Sequence, residues 1–211
     1  MHKYVIMGAQ GCGKGTQAKR LQQDCGLVHI SIGDIFRWHI ESRTKLGESV
    51  KRRVDSGQLV ADTVVEDLVR RRLIHHDWNY GFVLDGFPRN EHQAEFLLEN
   101  YDVDAVIYID VPDDVTMERI LARRLCAGCG KDYNLKSRPP AESGVCDVCG
   151  GKLKSRPDDT PDAVAHRLKE YRERTEPIVQ LLARKERICK FDGNQSAEAV
   201  HDQIMKALGL P

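Results

Sequence analysis

The chain has 211 residues, 41% of them hydrophobic, and its 32 basic residues balance 32 acidic ones. This length and apolar content predict one large domain, or one domain with insertions, around a hydrophobic core. The balanced charge excludes a surface that is basic throughout, and no apolar run reaches the roughly 18 residues of a membrane-spanning helix. The three residues ahead of the first predicted strand leave no room for a signal peptide, so we expect a cytoplasmic protein without a membrane partner.

The N-terminal segment carries the pattern of a phosphate-binding loop. Apolar Tyr4–Met7 predicts a strand that leads into the glycine-rich segment Gly8–Thr16 and a helix over Lys14–Cys25. Glycines let the backbone curl around an anion, and a helix N-terminus directs N–H groups at phosphate oxygens. Lys14 adds a positive charge for the β- and γ-phosphates, and Thr16 offers a hydroxyl to Mg²⁺. This context favours a nucleoside triphosphate site over a purely structural turn.

The rest of the chain alternates short apolar runs with longer amphipathic stretches. Further strands are predicted at Val28–Ile30, Phe82–Leu84, Ala105–Ile109 and Ile188–Phe191. Helices are predicted near Asp34–Ser42, Asp62–His76, Glu91–Asn100, Asp113–Leu125, Pro161–Glu186 and Ser196–Leu208. The alternation is typical of an α/β fold, a parallel sheet with helices on both faces. Ligands of such sheets bind beyond the carboxyl ends of the strands, where Gly8–Thr16 and Asp85–Arg89 both fall.

Two segments interrupt this alternation. Residues 31–60 are helical and charged without an obvious strand, and residues 124–161 are rich in Cys, Gly and Pro. A structureless loop as long as the second segment is uncommon in a compact domain. We therefore expect a small insert there with its own source of order.

Four of the seven cysteines indicate that this source is a metal ion. Two Cys-x-x-Cys pairs are separated by sixteen residues, and a glycine follows each pair. The pairs are Cys126 with Cys129 and Cys146 with Cys149. The spacing predicts a closed, structural Cys₄ zinc site. Disulfides and a redox site are the alternatives; the first is disfavoured in the cytosol, and the second by the absence of a strand–helix context.

The insert is also basic, with eight basic residues against three acidic ones between positions 123 and 156. A basic zinc insert could bind nucleic acid. Tyr133 is its one aromatic residue, whereas binders of single strands generally offer several stacking rings. We prefer a lid whose arginines close over phosphates.

The motifs together resemble one family. Gly-Lys-Gly-Thr-Gln at 13–17, Asp-Gly-Phe-Pro-Arg at 85–89, and Arg123-Arg124 heading a Cys₄ insert that ends at Arg156 are similar to adenylate kinases of the bacterial long-lid type with a zinc-bearing lid. The resemblance implies a P-loop NTPase-type core with a five-stranded parallel sheet over residues 1–30, 61–122 and 161–211. It further implies a helical domain for the nucleoside monophosphate over 31–60 and a zinc-binding lid over 123–160.

The resemblance also implies the reaction ATP + AMP ⇌ 2 ADP, performed by a monomer with Mg²⁺ and with no nucleic-acid partner. The implied ATP-binding residues are Gly11, Cys12, Gly13, Lys14, Gly15, Thr16, Arg119, Arg123, Asp132, Tyr133 and Gln195. The implied AMP-binding residues are Ser31, Ile32, Arg37, Gln58, Leu59, Val60, Gly86, Phe87, Pro88, Arg89, Gln93, Arg156 and Arg167. Catalysis would rest on Lys14, Arg89, Arg123, Arg156 and Arg167, with Asp85 ordering Mg²⁺ through water.

Three positions depart from the family's pattern. Gln10 replaces a usual proline, Cys12 replaces a small Ser or Ala, and Ile32 stands where a threonine normally contacts AMP. The first two leave the phosphate ligands in place, whereas Ile32 removes one possible hydrogen bond to AMP. A kinase for another nucleoside monophosphate and a nucleic-acid-binding zinc protein remain the alternative functions.

Overall fold

The computed structural model describes residues 2–77 and 79–211, and a five-stranded sheet lies at its centre. Its strands are β1 Lys3–Met7, β2 Val28–Ser31, β3 Phe82–Asp85, β4 Ala105–Asp110 and β8 Ile188–Asp192. They are all parallel, in the order β2-β3-β1-β4-β8. Each strand is one polar residue longer than the apolar run that predicted it. In four strands that residue lies at the carboxyl end, the edge where ligands of such sheets bind.

Helices cover both faces of this sheet, as predicted. They are α1 Lys14–Cys25, α2 Ile32–Glu41, α3 Lys45–Asp55, α4 Asp62–Ile74, α5 Glu91–Asn100, α6 Asp113–Leu121, α7 Pro161–Glu170, α8 Ile178–Leu182 and α9 Ala197–Leu208. On β1, Tyr4 and Ile6 belong to a core with α1 and α9, while Val5 and Met7 belong to a larger core with α4, α5 and α7. Among the described helices, none is long and apolar enough to cross a membrane.

The predicted helix over Asp113–Leu125 is wrong at its C-terminal end. Helix α6 stops at Leu121, and Arg123–Cys126 forms strand β5. The apolar spacing continued past Leu121, but the backbone beyond it pairs with two other strands of the insert instead. Tertiary pairing here overrides the local helical pattern.

The predicted helix over Pro161–Glu186 is also wrong as one continuous element. Helix α7 passes into a π-helical turn at Tyr171–Thr175, which is followed by the short helix α8. Pro177 gives the physical reason, because a proline ring clashes with the carbonyl group four residues earlier in an α-helix. The helix therefore widens into a π-helical turn ahead of Pro177.

The two interrupting segments form separate small units at the carboxyl edge of the sheet. Helices α2 and α3 pack closely on each other, since a Cβ at Gly47 would lie only 2.1 Å from the carbonyl oxygen of His39. The cysteine insert folds as an antiparallel sheet of β5, β6 Asp132–Asn134 and β7 Leu153–Lys154, in the order β6-β5-β7. Its core contains only four buried residues, which are Cys126, Tyr133, Cys146 and Leu153. A core this small needs the added stability of a metal ion or a comparable cross-link.

Candidate active site

The glycine-rich segment Gly8–Thr16 forms a tight turn between β1 and the start of α1, as the sequence indicates, and we call this segment the phosphate-binding turn. Gly8, Gly11 and Gly13 all have positive φ angles, and a Cβ at Gly8 would lie 2.2 Å from the carbonyl oxygen of Ile109. The Nζ atom of Lys14 donates hydrogen bonds to the carbonyl oxygens of Gly8 at 2.7 Å and Ala9 at 2.8 Å. No described side chain caps the first turn of α1. Its N–H groups and the ammonium group therefore form an anion-binding site.

Cys12 is part of the core beneath this turn. Its side chain is buried among residues of β1, β4 and α9, and burial raises the pKa of its thiol. A buried neutral thiol behaves as a small apolar side chain. Cys12 therefore contributes packing and its backbone to the loop.

Asp85 lies beside the phosphate-binding turn, at the carboxyl end of β3. A Cβ at Gly15 would be 3.9 Å from its Oδ2, and His29 Nε2 lies 3.3 Å from the same oxygen. Burial raises the pKa of Asp85, but the hydrogen bond with His29 and the charge of Lys14 outweigh it and hold the pKa below its ordinary value. The carboxylate is ionised at neutral pH and is suited to ordering the water shell of a divalent cation.

A cavity of about 710 Å³ opens over this edge. Every residue that the resemblance implies for a nucleotide or for Mg²⁺ lines it. These residues come from the glycine-rich turn, 31–60, 85–93, the cysteine insert, α6, α7 and the segment before α9. The structure thus brings together residues up to 184 positions apart, as Gly11 and Gln195 are. The volume is within the range of small-ligand sites.

Eight arginines line this cavity, and we call five of them the arginine cluster: Arg37, Arg89, Arg123, Arg156 and Arg167. Arg37 comes from α2, Arg89 from the loop between β3 and α5, and Arg167 from α7. Arg123 begins β5, and Arg156 follows β7 at the other end of the insert. Their separate origins explain why no single contiguous motif contains all five. A guanidinium group binds two phosphate oxygens at once and keeps its charge at neutral pH.

Three carboxylates neutralise much of this charge. Asp159 accepts two hydrogen bonds from Arg123, at 2.9 Å from Nε and 2.6 Å from Nη2. Asp158 accepts one from Arg167 at 2.7 Å. Asp34 binds Arg37 and lies 3.8 Å from Nη2 of Arg156. In this arrangement each carboxylate binds an arginine at a place where the phosphate group of a ligand could bind instead.

The pKa values reflect this crowding. Burial and the like charges of Arg123 and Arg37 lower the pKa of Arg156 to about 10, which still leaves it charged at pH 7. Burial raises the pKa of Asp34, but the charge and hydrogen bond of Arg37 outweigh it and lower the pKa to about 2. The buried Nε of Arg156 has no hydrogen-bond partner within the described chain. Arg156 is therefore the cluster member least satisfied by protein groups.

On the side of residues 31–60, several implied contacts are already engaged within the protein. The Oγ of Ser31 accepts a hydrogen bond from Asp34 N at 3.3 Å and caps α2, which leaves its hydrogen free to donate. Ile32 is buried in the larger core. The amide of Gln93 accepts from Arg89 N at 2.9 Å and donates to Asp62 at 2.8 Å. Gln93 thus also fixes the Arg89 loop.

The opposite side of the cavity is organised by Arg119, Asp132 and Gln195. Arg119 donates to the carbonyl oxygen of Gly193 at 2.8 Å. Asp132 accepts from Lys19 of α1 at 2.8 Å and from Arg138 at 2.6 Å, so it ties the insert to the core. Gln195 lies on the exposed rim.

Sequence reasoning missed several residues that organise this site. Asp34 could have been found, because an acid three residues before Arg37 in a predicted helix is within pairing distance. His29 and Asp62 carry no local signal, since their partners lie 56 and 31 positions away. Their roles depend on which strands and helices the fold places side by side.

The four cysteines predicted to bind zinc come together at the end of the insert. Their Sγ atoms all lie within 4.8 Å of one another, with 3.4 Å between Cys126 and Cys149 and 3.6 Å between Cys129 and Cys146. Tetrahedral zinc with sulfur at about 2.3 Å separates its ligands by roughly 3.8 Å, so the set fits the ion. A hydrogen bond with the Tyr133 hydroxyl lowers the pKa of Cys146, which favours the thiolate that a metal needs.

Comparison with known proteins agrees with this geometry. The family model described as adenylate kinase matches residues 6–187. An adenylate kinase of Clostridium perfringens (strain SM101 / Type A) is 42% identical over 212 residues, which cover 98% of each chain. An adenylate kinase of Thermotoga neapolitana is 41% identical over 211 residues, covering 97% of this chain and 96% of that protein. With its phosphate-binding turn and arginine cluster on one cavity, the chain is a phosphotransferase that belongs to the adenylate kinase family.

Proposed function

We propose that the protein transfers the γ-phosphoryl group of ATP to AMP and so interconverts ATP + AMP and 2 ADP. One observation carries the proposal: the phosphate-binding turn and the arginine cluster face each other across one cavity. Two anionic ligands that meet there would have their phosphates surrounded by fixed cations. The names of the relatives, adenylate kinase, support the choice of adenine nucleotides.

The donor ATP would bind on the side of the glycine-rich turn. Gly11–Thr16 would hold its phosphates. Arg119 and Arg123 would also contact ATP, with Asp132 and Tyr133 in the lid and Gln195 near the adenine. Mg²⁺, when bound with ATP, would neutralise charge on the β- and γ-phosphates. Asp85 is ionised and lies beside Gly15, which supports its role in holding the water shell of that ion.

The acceptor AMP would bind on the side of residues 31–60. Arg37 and Arg89 would hold its phosphate, and the backbone of Gln58–Val60 would line its base. The hydroxyl of Ser31 still has its hydrogen to donate, whereas its neighbour Ile32 is buried and has no hydroxyl. This supports one hydroxyl contact to AMP, from Ser31. Gln93 has one amide hydrogen left after its bond to Asp62.

The chemistry requires no base, because the attacking oxygen of AMP is already an anion. In-line positioning and neutralisation of the transferring group account for catalysis. Arg123, Arg156 and Arg167 would exchange their carboxylate partners for phosphate oxygens. Residues 31–60 and 123–160 would act as two covers that exclude water, which would otherwise hydrolyse ATP.

We further propose that Cys126, Cys129, Cys146 and Cys149 bind a structural zinc ion. All four ligand positions are filled by thiolates, so no position remains for substrate. A monomer suffices for the reaction, because both halves of the cavity come from one chain.

An enzyme-coupled assay with AMP, GMP, UMP and CMP as acceptors tests the proposal. We expect turnover to be fastest with AMP. Faster turnover of another monophosphate would overturn the choice of acceptor. Salt-dependent binding of DNA or RNA with negligible phosphotransfer would favour the nucleic-acid alternative instead.

A further inference from the structure

The π-helical turn at Tyr171–Thr175 brings Thr175 against the loop that carries Arg89. In this turn the N–H of Glu176 donates to the carbonyl oxygen of Tyr171 at 2.8 Å, five residues earlier. The hydroxyl of Thr175 is buried and donates to the carbonyl oxygen of Arg89 at 2.7 Å. Single π-turns inside helices occur often at functional sites.

The turn changes which residues of this helical segment face the cavity. In an uninterrupted α-helix, Thr175 would lie roughly 80° around the axis from Arg167, eight residues before it. The wider turn removes part of that rotation. Arg167, Tyr171 and Thr175 all line the cavity.

The turn is itself held in place by the core. The hydroxyl of Tyr171 donates to that of Tyr108 on β4 at 3.1 Å, and both rings are buried. Arg172 donates to Asp113 of α6 at 2.7 Å and to Glu176 at 2.6 Å. Thr175 is thus presented by a segment anchored to the sheet and to a neighbouring helix.

Arg89 is restrained on both sides of its backbone. Its N–H donates to Gln93 at 2.9 Å, and its carbonyl oxygen accepts from Thr175. Its Nε donates to the carbonyl oxygen of Gly86 at 2.9 Å, which leaves the two Nη groups for other partners. Without Thr175, the carbonyl side of this restraint would be lost.

We propose that Thr175 is a positioning residue for the acceptor phosphate, holding the Arg89 backbone so that the free end of its guanidinium group points into the cavity. The inference rests on the proposed function, because it takes Arg89 as a ligand of the AMP phosphate. It also gives the π-turn a purpose, since this turn brings the hydroxyl to the Arg89 loop. Small misplacements of such a group lower the rate strongly.

The test compares Thr175→Val, Thr175→Ser and the control Thr116→Val. Thr175→Val removes the buried donor with little change of shape, and we expect KM for AMP to rise about tenfold with KM for ATP unchanged within about twofold. Thr175→Ser keeps the donor and should restore KM for AMP. Thr116→Val makes the same change at a buried hydroxyl that has no partner among the described residues, so it should leave both constants unchanged.

Several outcomes would overturn the inference while leaving the proposed function intact. One is a Thr175→Val enzyme that melts at a lower temperature but keeps the KM for AMP of the unmodified protein. Others are equal changes in both KM values, or a Thr175→Ser enzyme as impaired as Thr175→Val. If Thr175→Val does not fold, the Thr175→Ser result alone decides, because loss of AMP affinity with the donor retained contradicts the role. Failure of the unmodified protein to phosphorylate AMP would instead refute the proposed function.

Discussion

The phosphate-binding turn and the arginine cluster both concentrate positive charge on one cavity, but they are built in opposite ways. The turn is one continuous segment whose cation, Lys14, is held by the carbonyl oxygens of Gly8 and Ala9. The arginine cluster is gathered from five separate elements, and Asp34, Asp158 and Asp159 neutralise much of its charge. The turn already presents its cation and N–H groups to an anion, whereas in the proposed reaction the cluster would exchange carboxylates for phosphates.

Because of this difference, substitutions in the two regions should have different effects on activity and on stability. The carbonyl groups that hold Lys14 are neutral, and Asp85, whose pKa the Lys14 charge also lowers, keeps its hydrogen bond with His29. The loss of Lys14 therefore leaves no carboxylate without a hydrogen-bond partner. A buried carboxylate that loses its arginine is left unpaired, which is strongly destabilising. Substitution of Lys14 should therefore affect turnover alone, and substitutions in the cluster should affect turnover and folding together.

The largest effect is expected for Lys14→Ala. Loss of the ammonium group should lower kcat/KM by about a thousandfold or more, because in the proposed reaction this group neutralises charge on the transferring phosphoryl group. The melting temperature and the zinc content should stay unchanged. Steady-state kinetics, calorimetry and metal analysis check these three quantities. Lys206→Ala, at an exposed position late in α9, is the control and should match the unmodified enzyme. Destabilisation by Lys14→Ala would contradict the distinction.

The second largest effect is expected for Arg167→Met. Turnover should fall by about a hundredfold, and the free energy of unfolding should fall by about 3 kcal/mol, because Asp158 loses its 2.7 Å partner. The side chain of Asp158 is only 5% exposed, so water replaces the lost partner poorly. Urea denaturation measures the stability.

Two further variants sharpen this result. Adding Asp158→Asn to Arg167→Met removes the unpaired charge, so it should restore most of the stability without restoring turnover. Arg71→Met breaks an exposed ion pair with Asp67 on α4 and should change neither quantity. If Arg167→Met were as stable as Arg71→Met, the carboxylates would not be what holds the cluster.

The same difference decides what could be predicted from the sequence. The turn, the five strands and the Cys₄ pattern are local, because each depends on residue types at short spacing. Residues gathered by the fold, such as Arg123 with Asp159, have no such pattern. The resemblance to a family supplied the arginines, and its motif also contained Asp158-Asp159, but it did not supply the pairing of carboxylates with arginines.

Of the remaining errors, one has a tertiary cause and the other a local one. The helix predicted through Leu125 ends at Leu121 because Arg123–Cys126 pairs as a strand. The long helix predicted from Pro161 is interrupted ahead of Pro177, where the chain forms a π-turn. The proline was visible in the sequence, but the contact of Thr175 with Arg89 depends on two elements 86 positions apart.

A smaller effect is expected when the metal is removed from the insert, which carries Arg123 and Arg156 but not the phosphate-binding turn. Cys146→Ser, or strong chelation, should lower the melting temperature by roughly 10 °C, because the four-residue core cannot hold the sheet alone. Cys189→Ser, on β8, should keep zinc and stability. Freshly purified protein without stoichiometric zinc would show that this account of the insert is wrong.

The smallest effect is expected for Asp34→Asn and depends on pH. The pKa of Asp34 is lowered to about 2 in the folded protein from an ordinary value of 3.8, so its stabilising effect is complete above pH 4 and is lost as pH falls toward 2. Because the side chain is 51% exposed, we expect a difference of only about 1 kcal/mol from the unmodified protein at pH 6.

Urea denaturation at pH 6, 4 and 3 should show the difference between Asp34→Asn and the unmodified protein narrowing below pH 4. Asp67→Asn is the control, because its exposed ion pair with Arg71 should give a difference near zero at each pH. A difference that grew as pH fell would mean that protonated Asp34, not the carboxylate, stabilises the fold. The arginine cluster would then be held in place by something other than the carboxylates, which are the groups that phosphates would replace in the proposed reaction.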